Sequence, residues 1–327
     1  MDERVSLFPE GQFEHLLAPY NRVSGIAPAH LHRVLAELRS RDDIDLVHDH
    51  VEVTGLGTLA AARVPTLHTL HWDLAKHRRF YAAVDAGPRL FVNGVSANQL
   101  RDAPPSLLRH SLGHVHLATP LADDADTRPL PPKEEHVVVL GRVTRCKGQH
   151  VAVRVAREVG WPLVLAGPVG PFHRRDDLDR AVAADPGALA NPDVRYWHEE
   201  IAPHVDGTRV RWVGTVRGGE REHLLATAAA ALFPITWEEP GGTAVTEALA
   251  LVCAVVGFRR GCLPELVDHG RTGLLAEPDD EADLARQLTG SKGIDPAECV
   301  REAVRRFRPA VMADAYLGLY RHVAGVA

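Results

Sequence analysis

Short runs of β-branched and aliphatic residues alternate along this chain with segments of helical hydrophobic spacing, the pattern of α/β domains built on parallel sheets. Strands are expected in the first half at residues 5–8, 44–48, 65–70, 90–95 and 114–117. Between the first two, Leu31, Val34, Leu35 and Leu38 recur at helical spacing, so one face of a crossover helix should be buried there. In the second half a strand from His136 ends at Gly141, a helix begins near Gly148, and further strands are expected at 163–166, 210–213, 231–234 and 254–257. Helices are expected at 220–230, 243–251 and 309–323.

Two such sheets need two cores, and 327 residues supply them. The segment at 127–135, TRPLPPKEE, joins three prolines to a charge cluster just before the apolar run Val137-Val-Val-Leu140 and reads as the interdomain linker. The expected organisation is therefore a domain at 1–132, a second at 133–308, and a C-terminal helix at 309–327 that packs back toward the first.

Several function classes lose support from composition. With 37 basic against 43 acidic residues the chain carries −6, so it offers no general cationic surface for nucleic acid or anionic lipid. Cys146, Cys253, Cys262 and Cys299 show no C-x-x-C spacing and read as reduced thiols rather than a disulfide framework or zinc site. No run approaches the ~18 apolar residues of a membrane span, and the opening MDERVSLFPEGQ lacks the regions of a signal peptide, so a cytoplasmic location is expected.

Two loops carry chemistry. The strand Val137-Val-Val-Leu140 delivers Gly141, Arg142, Lys147 and Gly148 into a loop that opens a helix, the place where open α/β sheets bind phosphates. Arg142 can grip two phosphate oxygens, and Lys147 adds a compact charge on a flexible stem. The spacing is neither a P-loop nor a G-x-G-x-x-G fingerprint, which removes the specific support for kinase and dehydrogenase readings. The second loop is Trp237-Glu-Glu-Pro-Gly-Gly-Thr243, running into a helix that contains Glu247. Gly241 and Gly242 allow close backbone approach, and the amides of Gly242 and Thr243 can face an anion. Glu239 and Glu247 suit a ligand with hydroxyls at both ends, since carboxylates accept hydrogen bonds from paired hydroxyls.

These units resemble the retaining glycosyltransferases of family 4, of GT-B fold, whose C-terminal domain carries G-R-x(4)-K-G followed by E-P-x-G-x(4)-E. Here they read Gly141-Arg142 with Lys147-Gly148, then Glu239-Pro240 with Gly242 and Glu247. The following Arg260-Gly-Cys-Leu-Pro-Glu265 and Gly270-Arg-Thr-Gly-Leu-Leu275 agree. The resemblance implies two Rossmann-like domains facing a cleft. It gives the donor diphosphate to Arg142 and Lys147, the donor sugar to Glu239 and the ribose hydroxyls to Glu247. Eight-residue spacing to Glu247 selects Glu239 over Glu238.

The first half resembles the family at Asp45-Leu-Val-His-Asp-His50 and at Pro65-Thr-Leu-His-Thr-Leu-His71. Spacing from Pro65 matches His71, rather than His68, to the histidine that lies beside the transferred sugar, and His50 is a possible acceptor-side residue. One departure stands out: Arg4-Val-Ser-Leu-Phe8 looks like the family's second strand, so a first βα unit of roughly 30 residues is expected to be absent.

The resemblance implies transfer of a hexosyl group from a nucleotide diphosphate sugar to a hydroxyl of a small-molecule, lipid or glycan acceptor, with retention of configuration. A catalytically impaired nucleotide-sugar-binding remnant of the same fold is the alternative. No cofactor beyond the donor is expected, and no metal, because the arginine–lysine clamp supplies the charge Mg²⁺ would bring. The His48-Asp-His50 pair and the D-x-D strings at Asp124/Asp126 and Asp177/Asp179 are accordingly read as incidental.

Overall fold

The computed structural model describes residues 25–84, 87–129 and 131–325. The strand expected at 5–8 lies outside the described residues, and the expectation of an absent first βα unit goes with it. The described residues form two compact units, one of those up to His116 together with those from Ala313, the other of those from Leu117 to Met312.

The first unit holds a four-stranded sheet of β1 (Val47–Asp49), β2 (Thr66–Thr69), β3 (Leu90–Gly94) and β4 (Ser111–His114), in that order and all parallel. The crossover helix Ile26–Ser40 buries Leu31 and Leu38, with Val34 and Leu35 half-buried between them. Strand β1 begins at Val47 rather than at Ile44. Val47 opposes Thr66, and its amide takes the carbonyl of Pro65, which has no N–H of its own to extend the ladder. The fourth strand is Ser111–His114, not 114–117. Val92 donates to His110 O at one end and Val115 to Gly94 O at the other, so β3 offers no partner beyond Val115.

The second unit is a six-stranded parallel sheet in the order β10-β9-β8-β5-β6-β7, built from β5 (Val137–Leu140), β6 (Leu163–Ala166), β7 (Val210–Trp212), β8 (Ala230–Phe233), β9 (Val255–Phe258) and β10 (Gly273–Ala276). Its central strands are apolar on both sides because helices cover both faces. Val138 points into a core with Val245, Leu249 and Ala303. Val137 and Val139 point into the opposite one with Val155, Leu165 and Leu284.

The division between the units falls at His116–Leu117, ahead of the proline-rich segment expected to link them. Leu121, Ala122 and Ala125 are buried in the second unit's core, and Thr119 donates to Phe307 O. The expected linker itself is tied down: Lys133 Nζ donates to Ala226 O and the Glu134 amide to Thr227 O. Among the described residues no helix is long and apolar enough to cross a membrane.

Phe307 is fully buried where this returning segment meets the second unit's helices. Phe307→Ala is expected to destabilise that unit by about 3–5 kcal/mol. Urea unfolding followed by tryptophan fluorescence reads this directly, since Trp161, Trp197, Trp212 and Trp237 all lie in the second unit.

Candidate active site

In the second sheet β5 pairs with both β8 and β6, and the chain winds outward in opposite directions from that pair. This is the topological switch point, where loops leaving neighbouring strands diverge and open a crevice at their carboxyl ends. A cavity of about 180 Å³ lies there. Val139, Leu140, Leu232 and Phe233 form its strand side, and Lys147, Glu239, Gly242 and Thr243 its loop side.

Glycine geometry shapes both loops. Gly148 adopts φ +71°, and a Cβ there would meet Pro234 O at 1.8 Å, so the first loop lies flat against the second. Gln149, buried at the helix start, donates to Arg142 O at 2.8 Å and accepts from the Thr144 amide at 3.3 Å. Thr236 N donates to Cys146 O, stitching the loops together. Gly242 caps the helix Thr243–Ala250 in the left-handed region, with Cys262 Sγ and Leu266 Cδ1 each 2.7 Å from where a Cβ would sit. Gly242 O accepts from the Val245 and Thr246 amides at 2.8 and 3.3 Å, and the amides ahead of them stand at the positive end of the helix dipole.

Lys147 forms an ion pair with Glu239, whose Oε2 also accepts from Trp237 Nε1 at 3.1 Å. The ammonium stands 5.6 Å from the centre of the Trp237 ring. The neighbouring Glu238 turns the other way, accepting from the Gly261 amide at 2.9 Å and approaching Arg260 at 3.7 Å. Glu247 pairs with Arg221 Nη1 at 3.1 Å. Burial raises the Glu247 carboxyl above its ordinary range, and Arg221 works against that rise.

Of the second-unit residues singled out in the sequence, Lys147, Glu239, Gly242 and Thr243 line one cavity. Gly141, Gly241 and Glu247 lie outside that lining, and Arg142 is exposed on the loop above it. Sequence reasoning missed Gln149, Trp237 and Arg221 as supporting groups. Gln149 directly follows Gly148 and was within reach of a loop-bracing argument, whereas Arg221 sits on a separate helix with no spacing to betray it.

In the first unit His50 Nδ1 and His71 Nε2 are hydrogen-bonded at 2.9 Å. His48 is committed elsewhere, bonded to Tyr320 OH and Thr69 Oγ1, both at 2.7 Å. His68 pairs with the buried Asp49 at 2.9 Å. The D-x-D aspartates are each engaged by arginine: Asp124 by Arg128, Asp126 by Arg308, Asp177 by Arg180 and Asp179 by Arg175.

A family model for glycosyl transferases group 1 matches residues 123–290, just over half the chain, and the protein belongs to that family. It is similar to the D-inositol 3-phosphate glycosyltransferase of Arthrobacter sp. (strain FB24), 26% identical over 295 residues, or 80% of this chain and 66% of that protein. It is also similar to the alpha-maltose-1-phosphate synthase of Mycobacterium tuberculosis (strain ATCC 25618 / H37Rv), 28% identical over 210 residues, 59% of this chain and 49% of that one. The chain thus spans less than two thirds of the length of these relatives. Among solved structures, AviGT4, a glycosyltransferase involved in avilamycin A biosynthesis, aligns with TM-score 0.61 at 25% identity, covering 92% of this chain and 79% of that one. HepE of Anabaena in complex with UDP aligns with TM-score 0.62 at 17% identity, covering 90% and 82%. The two parallel α/β units are those of the GT-B fold.

Burial lowers the pKa of His71, and burial together with the neighbouring His71 lowers that of His50. The largest shift is at His48, which burial and then His50 hold down to about 4. A histidine kept neutral by the fold contributes stability above its unfolded pKa of about 6.5 and loses it as the pH falls toward the folded value. The first unit should therefore weaken between about pH 6.5 and about pH 4. Protection factors of peptides from β1 to β3, with exchange corrected for its intrinsic pH dependence, should fall over that window, and His48→Gln should flatten the dependence.

Proposed function

We propose that the protein is a retaining glycosyltransferase of family 4 that moves a hexosyl group from a nucleotide diphosphate sugar to the hydroxyl of a small-molecule, lipid or glycan acceptor. The observation that carries this reading is the meeting of Lys147 and Glu239 in the switch-point cavity that the start of the helix Thr243–Ala250 also lines. A cation, helix amides and a carboxylate in one pocket match the two halves of such a donor, an anionic diphosphate and a polyhydroxyl sugar.

In this reading the diphosphate replaces Glu239 as the partner of Lys147. The freed carboxylate then accepts hydrogen bonds from the sugar, Arg142 grips phosphate oxygens with its fork, and Glu247 takes the ribose hydroxyls. His71 on the first unit contacts the transferred sugar. As the bond between the anomeric carbon and the phosphate oxygen breaks, charge grows on the leaving diphosphate, where Arg142, Lys147 and the helix amides oppose it. The acceptor oxygen bonds to the anomeric carbon on the face the diphosphate leaves. Its proton passes to a donor phosphate oxygen, so no side-chain base is assigned.

Lys147→Ala is expected to cost about 2–4 kcal/mol of transition-state stabilisation. Chelator should leave turnover unchanged; loss of turnover in EDTA with recovery on Mg²⁺ would return the charge-neutralising role to a metal. Titration calorimetry with UDP, GDP, ADP and TDP separates the carboxylates. Glu247→Ala should weaken binding of whichever diphosphate the parent takes. Glu239→Gln should strengthen that binding by up to about fivefold, because Lys147 loses its internal partner, while slowing transfer. If both variants bind like the parent, the donor assignment is wrong.

A further inference from the structure

The first unit buries a carboxylate that the transfer step does not use. Glu52 is 2% exposed and takes φ +55°, a strained conformation that an L-residue keeps only where its surroundings hold it. It opens the helix Glu52–Leu59, yet makes no side-chain cap there. Its carboxylate reaches instead to another part of the unit, accepting from the His71 amide at 2.8 Å, the Tyr81 hydroxyl at 2.9 Å and the Trp72 amide at 3.4 Å. All three partners are neutral donors, so among the described residues no ion pair offsets the burial.

The same short stretch is held from its other side. Gln99, also buried, donates through Nε2 to the carbonyls of Leu70 at 3.0 Å and Trp72 at 2.8 Å, and accepts from the Val95 amide at 2.8 Å. The amides of His71 and Trp72 are therefore held by Glu52, and the carbonyls of Leu70 and Trp72 by Gln99. One side chain, His71, projects from this clamp to meet His50. Loops at strand ends ordinarily satisfy their backbone with water, so two buried side chains spent on three residues mark a position whose geometry matters.

We infer that Glu52 is a positioning residue: its carboxylate, by accepting the His71 amide, sets where the His71 imidazole stands. The inference rests on the preceding reading only for the claim that His71 meets the transferred sugar. What positions the loop is the reach of the acceptor oxygen rather than its negative charge. In Glu52→Gln one oxygen still accepts from His71, and the amide nitrogen can donate to Tyr81, whose hydroxyl rotates to accept. In Glu52→Asp the charge remains, but the oxygens withdraw by one methylene and lose the His71 amide.

The test uses the full chain and these two variants, with two readouts. The first is the rate at which diethyl pyrocarbonate modifies His71, measured by peptide mass spectrometry against the exposed His223 of the second unit. The second is kcat and donor KM for transfer. Glu52→Asp should raise the relative modification of His71 at least fivefold and lower kcat at least thirtyfold with donor KM within threefold. Glu52→Gln should stay within threefold of the parent on every measure. The inference is overturned if Glu52→Asp leaves His71 reactivity within twofold of the parent, or if Glu52→Gln is as impaired as Glu52→Asp. Failure of the functional reading looks different: His71→Ala would retain full kcat, or the parent would transfer from no nucleotide sugar, while the reactivity contrast between the two Glu52 variants persisted.

Discussion

A parallel sheet covered by helices on both faces has no room for charge within it, and this constraint governs where chemistry can sit in the second unit. Strands β6, β8 and β9 are buried at every residue. Ionisable groups are driven to the loops at the strand ends, and a shared crevice opens only where neighbouring loops run apart. The switch between β5 and β8 is that place. The glycines at 148 and 242 then let two backbones approach more closely than any side chain would permit.

The charges at this crevice and on the helix that opens from it are balanced internally. Lys147 answers Glu239 and Arg221 answers Glu247, so no partly buried carboxylate of the site stands without a cation. That lowers the cost of holding ionised groups away from water. It also means that a charged ligand entering there must exchange partners rather than fill a bare charge.

The first unit solves a different problem. Its sheet meets the C-terminal helix through polar groups: Tyr316 OH lies 3.1 Å from Thr69 Oγ1, Thr69 donates to Asn93 Oδ1, and Tyr320 bonds His48. Such a network orients its members more sharply than apolar packing does, because each hydrogen bond has a direction. His48 is spent in this docking, although its ring stands 4.2 Å from that of His50, which follows the last residue of the strand. Only the latter is left to meet His71.

Apolar runs and glycine-rich loops are local signals, and the sequence by itself determined what depends on them. Val137–Leu140 and Leu163–Ala166, apolar runs that each end on a glycine, read as buried strands, and the glycines and charges at 141–148 and 239–243 marked two loops that open helices, with Glu247 inside the second helix. Strand β10, Gly273–Ala276, was legible only as part of a motif, since four residues cannot declare a period. Tertiary structure decided everything that rests on partners distant in the chain. It assigned 117–135 to the second unit through Phe307 and Ala226, turned Glu238 toward Gly261 and Glu239 into the cavity, and brought Glu52 and Gln99 to either side of His71. A hydrogen bond across tens of residues leaves no periodicity behind, so a buried glutamate that serves a remote loop looks in sequence like any solvated one.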